Sequence, residues 1–476
     1  MKIGKWFALL VILIVASNYV FAEENKEGDI RKKEEKREKT NKKYDKHKLR
    51  EKSEFVVDSS KEMLKPPKDK EIKGNYTIAK APPKVKLKIC PDLNPEYFGD
   101  LAGRSDAYMI CWANWAYMAR SDDNRFYCSV SNHRGNNCQI HLYEYNHGRN
   151  LFHKVLDIDE LLGWTETSYT DGKVHGHMGI MPDGTLWGAT HYGVYPDSTW
   201  YANGYRGSWL FSYNINTHEA KNYGVPMVGS NLPCFTVDTK RGRFVSSGAW
   251  NMVLSWDCIN KKVRYAGHPP NNMNMWHRSM LLDEETGKMW SVDSYDDSLR
   301  FMSFDPEFNK FERYEVSPPG NPFTGERALT RGHTEGPAVD GWFYWATWNG
   351  TLFKFKPEGA EGQPEVERVG TVWDEGRDTL QMGLSPKGRY IYFYPKGDSP
   401  VVQYDVKTGE RKAICFLQDY YFEKYGYFMD HVYGMEISHD GSFIVVSMNG
   451  AFEGRDVAFG HPSLLVIEIP EEERME

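Results

Sequence analysis

The sequence predicts an all-β fold, a seven-bladed β-propeller of four-stranded antiparallel blades. Three observations lead to it. A phrase of apolar strand, tight turn and second apolar strand recurs about seven times between Asp106 and the C-terminus. Its turns include Met181-Pro182-Asp183-Gly184, Ser385-Pro386-Lys387-Gly388 and Ser438-His439-Asp440-Gly441. Each copy is followed by a second turn, such as Asn214-Ile215-Asn216-Thr217 or Val406-Lys407-Thr408-Gly409. Two hairpin turns in each unit of roughly fifty residues give four strands per unit. Aromatics make up 14% of the chain, which suits large sheets packed face to face.

The elements follow in chain order. Lys2 and Lys5 precede an apolar run from Trp6 to Val15, and Val20-Phe21-Ala22 offers small residues for cleavage. Residues 1–22 therefore read as a secretory signal. The run is too short to span a bilayer comfortably, so the mature chain is expected to have no membrane span and to be secreted or periplasmic. Residues 23–80 read as a charged, disordered linker, and Ala81-Pro82-Pro83 opens the propeller domain, residues 81–476. The blades fall at about 105–157, 170–221, 230–267, 275–317, 332–370, 378–416 and 430–469. The last blade shows three clear strands, and Val85-Lys86-Leu87-Lys88-Ile89 is expected to supply the fourth and close the ring. Two insertions rich in tyrosine, Tyr192 to Ser208 and Asp419 to Asp430, are expected at one mouth of the ring.

Charge and cysteine content bound the partners. The chain carries −7, while residues 23–73 carry +4 and residues 1–22 carry +2, which leaves −13 on the remainder. An acidic body argues against nucleic acid as a partner. Seven cysteines in an exported chain predict one or more disulfides. A monomer is expected.

In a propeller the innermost strand starts at one mouth, and the second strand returns to it. Strand starts place His175, His177, His277, Arg278, Arg331, His333 and His431 at that mouth, with Trp276 just before. Second-strand ends add His191, Tyr192, Trp250, Trp348 and Asn349. Six of the 15 histidines thus converge, and His175 and His177, two apart on a strand, are expected to point the same way. Such a cluster serves metal binding, proton transfer or sugar recognition. Divalent zinc, calcium or manganese on His333 and His431 is one expectation, with no cofactor required for certain. Tyr192, Trp250, Trp276, His277, Arg331, Trp348 and Asn349 are candidates for substrate contact.

Lys173-Val174-His175-Gly176-His177, Pro182-Asp183-Gly184-Thr185-Leu186-Trp187, Thr190-His191-Tyr192-Gly193 and Gly204-Tyr205-Arg206-Gly207-Ser208-Trp209 form one stretch. It resembles the second blade of exported seven-bladed propellers that include the ulvan lyases and related polysaccharide lyases. The resemblance implies β-elimination on a uronic-acid-containing, acidic polysaccharide. It implies His175 or His177 as the first catalytic histidine, His191 as the second and Tyr205 as the tyrosine. Arg278 or a bound metal would neutralise the uronate carboxylate. The competing expectation is a non-catalytic carbohydrate- or protein-binding propeller with a structural metal in its funnel.

Overall fold

The computed structural model describes Leu49 and residues 54–474, apart from 69, 92–110, 136–137, 166, 360–361 and 453–458. The expected signal, residues 1–22, lies outside the described residues. Seven antiparallel sheets of four strands, some with an added edge strand, form the predicted β-propeller. Turn chemistry sets each blade. Gly184, Gly242, Gly287, Gly388 and Gly441 take the positive φ that closes the first hairpin of blades two, three, four, six and seven.

Blade seven joins the two ends of the domain. Phe428–Ile437, Phe443–Ala451 and Ser463–Glu468 are its first three strands. Lys84–Ile89 completes it, antiparallel to Ser463–Glu468 with Leu87 opposite Leu465. The expected closing strand is therefore present. Val56–Asp58 adds a fifth strand outside it, and Thr77–Ile78 pairs in parallel with Arg411–Cys415 of blade six. Residues 54–80, assigned to a linker from composition, thus form a strap over blades six and seven. Lys70 bridges Asp374 and Asp398 at 3.1 and 3.2 Å, and Tyr425 donates to Asp58 at 3.0 Å. Charge-rich composition hid this strap because its contacts are edge pairing and ion pairs rather than a periodic apolar face.

The first strand of blade two is interrupted. Lys173–Val174 and Gly179–Ile180 both pair with Thr185–His191, and residues 175–178 leave the ladder between them. The amide of His177 donates instead to Phe235 of blade three at 2.8 Å. A Cβ on Gly176 would lie 2.2 Å from the Phe235 ring, so only glycine lets the backbone pass there. This detour separates His175 from His177, so the expectation that they point the same way fails. Period-two alternation holds only while a strand stays in its ladder.

Cores lie between blades. Trp187, Trp290 and Trp345 are fully buried mid-strand. Cys111, Cys128, Cys138, Cys234, Cys258 and Cys415 are free, buried thiols, so the disulfides expected among them do not form. Cys128, Cys234 and Cys415 lie on blade strands, where they pack as small apolar residues. The two tyrosine-rich insertions each hold a short helix, Ser198–Ala202 and Gln418–Tyr425. In the second, Tyr421 and Tyr425 are buried and serve packing.

Leu87 is completely buried, so Leu87→Ala should destabilise by about 2–5 kcal/mol in urea unfolding. Leu151→Ala, at a 41% exposed position of blade one, should cost under about 0.5 kcal/mol.

Candidate functional site

The mouth at which the inner strands start gathers cations and imidazoles from several blades. Lys173 and His175 come from blade two, and His191 ends its second strand. His175 is 3% exposed and His191 1%. His175 Nδ1 lies 2.8 Å from the Pro233 carbonyl, which can only accept, so this nitrogen carries the proton. Its Nε2 lone pair then accepts from Arg278 Nη1 at 2.8 Å. His175 therefore positions Arg278, and its lone pair is already used.

His191 differs. Its Nδ1 faces Asn231 Nδ2 at 3.0 Å, and its Nε2 is buried with no hydrogen-bond partner. The ring lies 5.5 Å from His175 and 4.3 Å from Tyr192. Burial, then Lys173, holds the His191 pKa well below the ordinary histidine range. Burial, then Arg278, does the same to His175. Both rings are neutral at pH 7.

The cations around them are poorly matched by anions. Among the described residues, neither Arg278 nor Lys173 forms an ion pair with a carboxylate. Lys173 donates to His133 Nε2 at 2.7 Å and lies 5.0 Å from the Trp115 ring. Burial, then Arg278, pushes the Lys173 pKa far down, and burial, then Lys173, takes His133 to about 2. Arg331 is 2% exposed, stacks 4.4 Å from Trp348 and has Nε and Nη1 without hydrogen bonds. Its nearest carboxylate oxygen, on Asp378, is 3.7 Å from Nε and is shared with Lys396, whose Nζ sits 2.8 Å from the other oxygen. Leaving such charges unpaired costs several kcal/mol each. An entering anion would recover part of that cost. Tyr433, 5.1 Å from Trp115 and 6.3 Å from His175, adds an aromatic wall.

The remaining sequence-derived candidates divide. Tyr192 and His277 stand in this cluster, and burial followed by Arg278 lowers His277 to about 4. Trp276 donates its indole N–H to the Thr330 carbonyl at 2.9 Å and touches Trp348 and His277. Tyr205 is elsewhere: its hydroxyl donates to buried Asp171 at 2.7 Å, which also accepts from Thr190 at 2.6 Å. That bond makes Tyr205 a clamp for the insertion instead of a funnel acid. Asn349 is consumed by its own turn, donating to Glu326 and accepting from Thr347 and Thr351. Trp250 is 65% exposed in a left-handed turn. His431 pairs with Asp430 and packs 5.0 Å from Phe459. Both ring nitrogens of His333 meet backbone carbonyls, of Thr334 and Met280, at 3.0 Å. His333 and His431 are not brought together as metal ligands.

His177 and His333 face the opposite mouth. There a cavity of about 320 Å³ is lined by His177, Glu335, Glu436, Glu284, Asp122 and Arg120 among others. His177 Nε2 lies 2.8 Å from Glu335 Oε1. Burial and the neighbouring Glu335 push Glu436 well above the carboxylate range; Glu335, its side chain 44% exposed, is held down to about 2 against its desolvation, chiefly by His177.

Reading by strand starts and ends found His175, His191, Arg278 and Arg331. It passed over Lys173, two residues before His175, and Tyr433, two after His431. It also missed His133, which lies just beyond the second strand of the degenerate first blade, and Asn231 and Lys396, which lie in connections.

No family model matches the chain, and no curated protein is detectably similar to it. A chain of a solved structure described as the crystal structure of a mitotic checkpoint complex is similar at a TM-score of 0.45 and 12% identity, over 86% of this chain and 95% of that one. Among the described residues no helix is long and apolar enough to cross a membrane.

The buried neutral histidines make stability depend on pH. His133, His175, His191, His277 and His333 all have folded pKa values below the unfolded value of about 6.5. Their contribution is complete above that value and is lost as pH falls from about 6.5 toward about 4. The urea midpoint should fall steadily between pH 7 and 5, with a slope of up to about 1.4 kcal/mol per pH unit for each histidine. His277→Gln should make that slope shallower by one proton.

Proposed function

We propose that this protein is an exported lyase that cleaves a uronic-acid-containing, acidic polysaccharide by β-elimination. The observation that carries the reading is the pairing of neutral His191, its Nε2 unpartnered, with Arg278, which has no carboxylate partner among the described residues, and with Arg331, whose nearest carboxylate oxygen is 3.7 Å away. Arg278, aimed by His175, would bind the uronate carboxylate and make the adjacent C5 proton acidic. His191 Nε2 would take that proton. The C5–H electron pair becomes the C4–C5 double bond, and the C4–O pair leaves with the glycosidic oxygen. Tyr192, kept protonated by burial and then by Tyr195, would deliver a proton to that oxygen. Trp348 on Arg331 and the Trp276 ring offer sugar-stacking surfaces.

One observation favours a second reading, a non-catalytic carbohydrate-binding propeller. With Asn231 Nδ2 turned to His191 Nδ1, the neutral ring carries its proton on Nε2 and is a donor rather than a base. Catalysis requires the Asn231 amide turned the other way, with its oxygen accepting from Nδ1–H.

Mixing the protein with a panel of uronate polysaccharides separates the two. A lyase produces the ultraviolet absorbance of an unsaturated uronate, and a binding propeller retards the glycan in affinity electrophoresis with no such rise. For the lyase, His191→Ala should lower kcat/KM by about 10²–10⁴-fold with little change in Tm. The acid limb of the pH–rate profile should lie below the ordinary histidine range. Large destabilisation of His191→Ala with activity intact would assign His191 a purely structural role.

A further inference from the structure

The mouth opposite the proposed catalytic cluster holds a second constellation that the lyase reading does not use. Glu335 follows the inner strand of blade five, Glu436 lies near the end of that of blade seven, and His177 lies in the interrupted strand of blade two. One ligand atom from each lies within 4.8 Å of the others. Glu436 is 5% exposed. Gln381 of blade six holds it in place, donating Nε2 to Glu436 at 2.5 Å and accepting at Oε1 from the amides of Met118 and Met435 at 3.0 and 2.8 Å. Blade one therefore helps to orient a ligand from blade seven, as a supporting shell does at a metal site.

The charge around the constellation points the same way. The adjoining cavity of about 320 Å³ presents Glu335, Glu436, Glu284 and Asp122. Arg120 is its one arginine, and a guanidinium nitrogen of Arg120 donates to the Ile437 carbonyl. His333 and His439 also line it, with ring nitrogens on backbone carbonyls: Thr334 and Met280 for His333, Ser121 for His439. Glu436 is buried while Glu335 beside it is exposed, and two carboxylates side by side hold their charge only by sharing a proton or a cation. The cavity gives an ion of either size a path to them.

We propose that His177, Glu335 and Glu436 bind one divalent transition-metal ion, zinc or manganese, that ties blades two, five and seven together across the lower channel. One imidazole nitrogen with two carboxylate oxygens suits these ions better than calcium or magnesium, which prefer all-oxygen shells. Binding requires the three ligand atoms free of protons, and the cavity leaves room for water to complete the coordination. The site is distinct from Arg278 and His191, so it is independent of the lyase reading.

The test uses the full mature chain, purified without a polyhistidine tag, stripped with chelator and then dialysed against zinc or manganese. Elemental analysis should find about one ion per chain, and the ion should raise Tm by several degrees. Glu436→Gln, which keeps shape and hydrogen bonding to Gln381, should lose the ion and the Tm rise while the stripped protein melts as the wild type does. Glu335→Gln should do the same. His191→Ala should bind the ion undiminished. No stoichiometric uptake, or equal uptake in Glu436→Gln and Glu335→Gln, would overturn the proposal.

Discussion

The pairing of Lys84–Ile89 with Ser463–Glu468 is the contact on which the other contacts depend. A propeller blade buries its faces only against its neighbours, so an open ring would leave two apolar faces and two strand edges in water. Closing the last blade with a strand from the start of the domain removes both. The strap of residues 54–80 then covers the outer edges of blades six and seven, where Thr77–Ile78 and Val56–Asp58 extend the sheets. Once the circle is closed, the inner strands converge on a narrow channel, and residues far apart in the chain are forced into contact.

That convergence sorts charge along the channel. Positions at strand starts supply Lys173, Arg278 and Arg331, and positions near strand ends supply Glu335 and Glu436. The acidic body anticipated from composition is real, yet it is not uniform. On the proposed reading an acidic glycan would find cationic compensation at the mouth that carries Lys173, Arg278 and Arg331. Burial, with the neighbouring cations, keeps His175 and His191 in the neutral form, as uncharged donors and acceptors. A neutral ring is what the proposed proton abstraction requires of His191.

The break in blade two links the two mouths. Gly176 passes against Phe235, and the four residues outside the ladder carry His175 to one environment and His177 to another. A regular strand would have placed both imidazoles on one side. The same irregularity occurs in blade one, where Ala113–Asn114 and Ala119–Arg120 flank a gap whose Met118 amide bonds to Gln381. Channel-lining backbone amides in both blades are thereby paired with other blades instead of with their own.

Repetition, turn chemistry and strand alternation determined the architecture from sequence, including the closing strand at Val85 to Ile89, because these depend on local backbone preference and on the number of units. The same logic located His175, His191, Arg278 and Arg331 at one mouth, since strand starts and ends are countable along the chain. Tertiary structure alone decided the rest. Tyr205 was lost to a hydrogen bond with Asp171, and His333 to a place between the Thr334 and Met280 carbonyls, contacts that no spacing encodes. His177 was separated from His175 by a backbone detour past Phe235 that Gly176, between them, makes possible. The juxtaposition of His177, Glu335 and Glu436, from blades two, five and seven, exists only because the ring closes, and ring closure is a long-range constraint that a linear pattern cannot express.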